Sequence, residues 1–347
     1  MTDLKDLFMA SLLCGALGDA LGYPVEFMTW DEIKYRFGKQ GIEDLKVDKA
    51  IGKALISDDT QMSLFTADGM IWAYLRCSER GIGSYSVSGI YQSYLRWYYT
   101  QTGRMPTDED KVWLEKQPHE KKNSILDFKE LFSERAPGNS CLTALGSGKM
   151  GTMDEPVNNS KGCGGVMRVA PVGLFLHGQP EYAFRVAAEA AAMTHGHPTG
   201  YLAAGTFAAI VAELVNGKDI IESTRAAIDI LKIYRGHEET VDAVEKALRL
   251  AESSENSRES IKKLGEGWIA EEALAIALYC ALKGSDVKKA LIMAVNHDGD
   301  SDSTGAICGN ILGAAYGMKS IPEKWIENVQ LKDLIMNMGC RLFDLSK

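Results

Sequence analysis

Apolar residues recur at helical intervals along most of the chain. Among Met62, Leu64, Phe65, Met70, Ile71, Tyr74 and Leu75, the pairs Met62–Phe65, Met70–Tyr74, Ile71–Tyr74 and Ile71–Leu75 stand three or four apart, the spacing of one face of a 3.6-residue helix. The same rhythm predicts helices over residues 183–193, 203–215, 220–233, 240–250, 269–282, 287–295 and 306–316, separated by short Gly, Asn or Ser punctuation. Strand-like alternation is scarce. The pattern therefore predicts an all-α protein.

Two stretches break the rhythm. Residues 102–122 are charged and carry two prolines, and read as a surface insertion. Residues 136–165 crowd Gly and Asn together, and a connection longer than about 12–15 residues inside a compact domain is usually functional. Small-residue runs, Ala203-Ala204-Gly205-Thr206-Phe207-Ala208-Ala209 and Gly309-Asn310-Ile311-Leu312-Gly313-Ala314-Ala315, allow helix backbones to approach closely. No solenoid period is present, and the chain reads as one domain over 1–347.

Composition narrows the partners. With 38 Lys+Arg against 47 Asp+Glu, a net charge of −9 opposes broad binding to nucleic acid or an anionic membrane, so a small anionic ligand needs a local site. The seven cysteines form no C-x-x-C pair, which argues against a disulfide framework or a thiolate zinc site and fits a reducing cytoplasm. The start lacks the basic region of a signal peptide, and no apolar run is expected to reach the roughly 18 residues that span a bilayer.

The chemistry concentrates at two helix starts. Asp298-Gly299-Asp300-Ser301-Asp302-Ser303-Thr304 sets three carboxylates at alternate positions, which repel unless solvent or a cation intervenes. An EF-hand is excluded because Ser303 and Gly309 stand where that loop needs Gly and a bidentate Glu. The second cluster, Ser57-Asp58-Asp59-Thr60-Gln61, also precedes an apolar helix. Each has a purely structural explanation as a helix cap, with Gln61 completing a capping box in the second. Together they offer oxygen donors without a His or Cys ligand pattern, which matches an Mg²⁺ or Mn²⁺ site, and two ions sharing a carboxylate would fit.

Three further motifs stand out. Asn158-Asn159-Ser160-Lys161-Gly162-Cys163-Gly164-Gly165-Val166-Met167-Arg168 is a Gly-rich turn able to present backbone N–H groups to an anion, but it is neither a dinucleotide fingerprint nor a P-loop. Lys161 and Arg168 are either solvated charges or partners of a diphosphate. After Gly22 and Pro24 interrupt a small-residue helix, Glu26 lies in an apolar setting that would raise its pKa into the range of a general acid or base. Thr194-His195-Gly196-His197-Pro198 closes a helix, with His197 expected as a C-terminal cap or dipole partner.

The order of these blocks resembles the ADP-ribosylglycohydrolase family. It runs from Gly15-Ala16-Leu17-Gly18-Asp19-Ala20-Leu21-Gly22 with Glu26, through Ser57-Asp58-Asp59-Thr60 and Gly162-Cys163-Gly164-Gly165-Val166-Met167-Arg168, to Thr194-His195 and Gly299-Asp300-Ser301-Asp302-Ser303. Ala136-Pro137-Gly138-Asn139-Ser140-Cys141 resembles a branch that includes immunity proteins against ADP-ribosylating toxins. The resemblance implies a compact orthogonal helical bundle with two Mg²⁺ ions, or Mn²⁺, held by Ser57, Asp58, Asp59, Asp300, Asp302 and Ser303, with Asp302 as the bridge. It further implies ADP-ribose contacts from Asn139, Ser160, Gly162, Cys163, Gly164 and His195. Many relatives carry Thr at the positions of Ser57 and Ser303, and some carry an amide at that of Cys163.

The activity so implied is hydrolysis of the glycosidic bond between ADP-ribose and an acceptor, such as arginine on a protein. Water would attack C1″ through an oxocarbenium-like transition state while Glu26 manages the proton and Asp302 anchors the metals. Two other readings compete: a two-metal phosphoesterase acting on a nucleotide-like substrate, and a non-catalytic ADP-ribose-binding protein. Retention of Glu26 and the four aspartates argues against the second.

Overall fold

The computed structural model describes residues 3–81, 86–115 and 124–346. Its elements are α1 (Leu4–Gly22), α2 (Trp30–Phe37), α3 (Asp58–Arg80), α4 (Ser86–Thr102), α5 (Asp108–Glu115), α6 (Asn139–Gly146), α7 (Ala170–Phe175), α8 (Pro180–Ala192), α9 (Pro198–Val215), α10 (Ile220–Leu231), α11 (Glu238–Glu252), α12 (Ser257–Leu264), α13 (Ala270–Lys283), α14 (Val287–Val295), α15 (Ser301–Tyr316), α16 (Glu323–Asn328) and α17 (Lys332–Leu345). Short 3₁₀ turns add Tyr23–Val25 and Cys163–Gly165. Among the described residues there is no β-strand, only isolated bridges such as Gly162 with Ile269. The all-α expectation holds, because the apolar stripes bury against one another without a sheet.

α1 and α15 form the centre. Both are buried on nearly every side, as a helix without a polar face must be. Glycines let their backbones touch: a Cβ on Gly18 would lie 1.9 Å from the Gly305 carbonyl oxygen, and one on Gly309 2.0 Å from that of Cys14. Gly22 continues the seam, since a Cβ there would meet the Asp302 Cα at 2.5 Å. The contact has a functional consequence: it fixes the start of α15, which carries Asp302, beside the end of α1, from which the chain turns towards Glu26.

Some expectations are corrected. α1 through Val25 and α9 do have the length and hydropathy of a membrane span, but 83% and 94% of their apolar windows are buried in the protein. Their small residues are used for helix packing. The Gly- and Asn-rich stretch at 136–165 contains α6 and is not one continuous loop. In 102–122, α5 presents exposed Asp108 and Glu109 as a solvated face; residues 116–122 lie outside the described residues. The small-residue run in α9 packs as anticipated, with Gly205 against Phe184.

Candidate active site

The two acidic helix starts converge. Ser57 caps α3 by accepting from the Asp59 backbone N–H at 3.2 Å, and Asp300 caps α15 by accepting from that of Ser303 at 3.3 Å. Capping explains only part of each cluster. No capping box forms with Gln61, whose amide donates to the Ser133 carbonyl and whose oxygen accepts from Trp97 and Gln101. Asp298 also leaves the cluster, accepting from the Trp30 backbone N–H at 2.7 Å.

What remains is a cleft of about 340 Å³. Asp58, Asp59, Asp300, Asp302 and Ser303 line it from the helix starts, with Glu26 across from them. One carboxylate oxygen each from Glu26, Asp300 and Asp302 lie within 4.8 Å of one another. Burial pushes the Glu26 carboxyl up to about 11, reinforced by the Asp302 charge. Asp58, Asp59, Asp300 and Asp302 are all raised as well, first by burial; for Asp58, Asp59 and Asp300 the charge of Asp302 comes next. Carboxyls so placed remain protonated or take a cation.

The residues fit a hard divalent ion. Asp59 Oδ1 and Glu26 Oε2 are buried without a hydrogen-bond partner, and buried polar atoms are rarely left so. The donor set is carboxylate and hydroxyl oxygen, as Mg²⁺ and Mn²⁺ prefer. Ser57 does not line the cleft; fully buried, its hydroxyl stands 3.4 Å from Asp59 Oδ2.

Asp19 supports this centre from behind. It lies in the sequence block that contains the glycine seam, and its role there is visible only in three dimensions. Fully buried, it accepts from the Ser57 backbone N–H at 2.9 Å, the Thr60 N–H at 3.1 Å and the Thr60 hydroxyl. It thereby orients the whole Ser57–Thr60 turn. Burial and then the Asp302 charge raise its pKa to about 7.

The Gly-rich turn forms the adjoining part of the wall, in contact with Asp300. Gly162, Cys163 and Gly164 line the cleft with Asn139 and His195. A Cβ on Gly164 would stand 3.1 Å from the His195 ring, so this backbone lies against the imidazole. Two of the amides expected to meet a diphosphate are engaged internally: Gly162 N–H donates to Ser160 Oγ, and Cys163 N–H to the Trp268 carbonyl. The Cys163 thiol contacts Asp300 Oδ2 at 2.6 Å. Ser160 stands behind the wall, paired with Ser140 Oγ at 3.0 Å.

His195 is held neutral. Burial, followed by the Arg168 charge, lowers its pKa to about 3. Arg168 is fully buried over the Tyr94 ring and donates to Thr194 Oγ1 at 2.7 Å, and Thr194 Oγ1 in turn contacts His195 Nδ1 at 2.8 Å. Arg168 is thus neither solvated nor a lining residue; it positions His195 through Thr194. Lys161 is bound to Glu239 and Glu271. His197 caps the start of α9, accepting from Thr199 N–H, instead of closing the preceding helix.

Sequence reasoning missed the aromatic rim. Phe27 is 68% exposed, adopts φ 65° and stacks on Trp268 at 5.3 Å. Both line the cleft beside Glu26. The turn Gly265-Glu266-Gly267 before Trp268 was the available signal, since both glycines hold positive φ.

Known proteins share this architecture. A relative in Rhodospirillum rubrum, named ADP-ribosyl-[dinitrogen reductase] glycohydrolase, is 26% identical over 95% of this chain and 92% of its own. The ADP-ribosylarginine hydrolase Tri1 of Pseudomonas putida is 23% identical over 98% and 78%. An uncharacterized protein of Archaeoglobus fulgidus is 31% identical over 53% of this chain and 58% of its own. A solved structure described as an ADP-ribosylglycohydrolase-related protein complex superposes over 100% of both chains with TM-score 0.67 and 23% identity, so the fold is shared. The model of the ADP-ribosylglycohydrolase family matches residues 1–347 and so takes in every element that feeds the cleft. The chain therefore belongs to the ADP-ribosylglycohydrolase family and is a hydrolase of ADP-ribose linkages.

Proposed function

We propose that the protein releases ADP-ribose from arginine side chains of modified proteins, using two Mg²⁺ ions or Mn²⁺ in their place. The observation that carries this reading is the convergence of Glu26, Asp300 and Asp302 within 4.8 Å, beside the orphaned Asp59 oxygen. Asp58, Asp59, Asp300, Asp302 and Ser303 would hold the ions, with Ser57 behind them fixing Asp59. Bound there, the ions supply Lewis-acid polarisation and the positive charge that lets these carboxylates ionise together. The arginine acceptor is supported by the name of the Pseudomonas putida relative.

The chain's own groups divide the remaining work. Asn139, Gly162, Cys163 and Gly164, with neutral His195, cradle the ADP-ribose half, and Ser160 braces Gly162 from behind. A neutral imidazole donates or accepts a hydrogen bond without adding charge, which suits a ligand bound by backbone dipoles. Burial favours the protonated form of Glu26, which can pass its proton to the departing nitrogen and take one back from the water that attacks C1″. The carboxylates facing C1″ stabilise the positive charge that develops in an oxocarbenium-like transition state. Asp19 holds the Ser57–Thr60 turn in place throughout. We take the chain as one catalytic domain over 1–347, working in the cytoplasm, where its free thiols are stable.

The test is incubation with an ADP-ribosyl-arginine polypeptide, following intact ADP-ribose with Mg²⁺, with EDTA, and beside Asp302→Ala. Metal-dependent release that the variant lacks is the expected result. Release of AMP instead would establish a phosphoesterase. Tight ADP-ribose binding without any release would establish a binding protein.

A further inference from the structure

A second cavity of about 620 Å³ adjoins the cleft and is not used by the chemistry above. It lies between the start of α2, the length of α12, the turn at 265–268 and residues 297–298. Trp268 lines both cavities, so the stacked pair Phe27–Trp268 is the partition between them. The same turn is tied to the acidic centre: the Asp300 N–H donates to the Glu266 carbonyl at 2.8 Å. Glu26, proposed to protonate the leaving group, immediately precedes Phe27. Glu26 and the Phe27–Trp268 pair thus place the leaving-group side of the cleft next to this groove.

The groove's chemistry favours cations. Asp31, Glu259, Glu266, Glu272 and Asp298 line it, against Arg258 and Lys262. Lys34 answers Asp31 at 2.6 Å, and the Glu272 carboxylate is bound by the Glu266 and Gly267 N–H groups. An excess of carboxylate over cation remains. His297 adds no charge, being buried with both ring nitrogens in hydrogen bonds to Asp298 and Thr304. The groove already holds one guanidinium: Arg258 lies over the Trp30 ring, its Cζ 3.2 Å from the centroid, among Asp31, Glu259 and Asp298. The remaining carboxylates, beside the partly exposed Trp268, suit a guanidinium or ammonium guest, whereas a diphosphate would be repelled.

We propose that this groove receives the polypeptide bearing the modified side chain and selects segments with basic residues beside the scissile linkage. The inference rests on the hydrolase reading above for its direction, but its test does not depend on turnover. Three substrates carry the same ADP-ribosyl-arginine: the free amino-acid conjugate, a peptide flanked by Lys and Arg, and one flanked by Asp and Glu. They are given to the wild type and to the double variant Asp31→Lys/Glu259→Lys, whose sites are exposed and outside the cleft. In the wild type, KM is expected to be about five- to tenfold lower for the basic peptide at low salt, with the gap closing as salt rises. In the variant the preference disappears, while kcat and the KM of the free conjugate stay within about twofold.

A wild type that treats both peptides alike would overturn the proposal. So would a variant whose free-conjugate KM moves as far as the peptide KM, since the effect would then reach the cleft. If no ADP-ribosyl-arginine substrate is turned over, the arginine reading falls by itself. Anisotropy titration of the unmodified fluorescent peptides then decides the groove: tighter binding of the basic peptide that the variant loses sustains it, and equal binding refutes it.

Discussion

Asp19→Asn tests whether the acidic centre is stressed from behind. Asp19 has a pKa near 7 in the fold, against about 3.9 in an unfolded chain. Because the folded value is the higher one, the native state binds more protons between these pH values, and the stability contributed by the protonated group is lost as pH rises. The whole gap corresponds to about 4 kcal/mol, of which roughly two thirds, about 3 kcal/mol, falls between pH 5 and 8. With about 2.1 cal/mol/K of unfolding entropy per residue over 347 residues, that is about 4 °C in Tm. His195 and His297 have lowered pKa values and act in the opposite direction over the same window, so wild type alone is uninformative. The difference between wild type and Asp19→Asn cancels them and leaves Asp19 together with Asp58 and Asp59, whose pKa values its charge raises. Thermal unfolding in EDTA should show Tm(wild type) minus Tm(variant) falling by about 4 °C from pH 5 to pH 8. Saturating Mg²⁺ should shrink the fall by relieving the Asp302 charge, without abolishing the larger part due to burial. A difference that is flat or rises with pH would refute the argument.

Other outcomes follow from the same geometry. Glu26→Gln should keep ADP-ribose affinity and fold while losing about 100-fold or more in kcat, as removal of a general acid does; unchanged turnover would dismiss that role. Asp302→Ala should raise Tm in EDTA, by removing a buried like charge, and cancel the Tm increase that Mg²⁺ gives the wild type. Gly18→Ala drives a Cβ to 1.9 Å from the Gly305 carbonyl and should cost about 1–3 kcal/mol or more by denaturant unfolding. Thr194→Val breaks the link from Arg168 to His195 and should raise the ADP-ribose Kd several-fold with little change in fold, read by calorimetry.

The sequence by itself determined the helices and much of the site. Periodicity and apolar content mark α3, α8 to α11 and α13 to α15, because each must bury an apolar stripe or, for α9 and α15, nearly its whole surface. The paired acidic helix starts are legible because carboxylates at such spacing need either a cap or a cation, and the ordered motifs identify the family. Periodicity and spacing do not show which carboxylates meet. By spacing Asp298 and Asp302 look equivalent and only the family resemblance separates them; in the fold one turns to Trp30 and the other into the cleft. Asp19 is one polar residue in a glycine-rich helix until the packing of α1 places it under the Ser57–Thr60 turn. Arg168 reads as a solvated charge or a diphosphate partner until Tyr94 and Thr194 enclose it. Trp268 carries no local pattern that points to an anomeric carbon. The physical reason is common to these cases: helix propensity and amphipathicity act over a few neighbouring residues, whereas a site is made where helix ends distant in sequence meet. That meeting depends on backbones close enough to touch, as the Gly18–Gly305 contact allows.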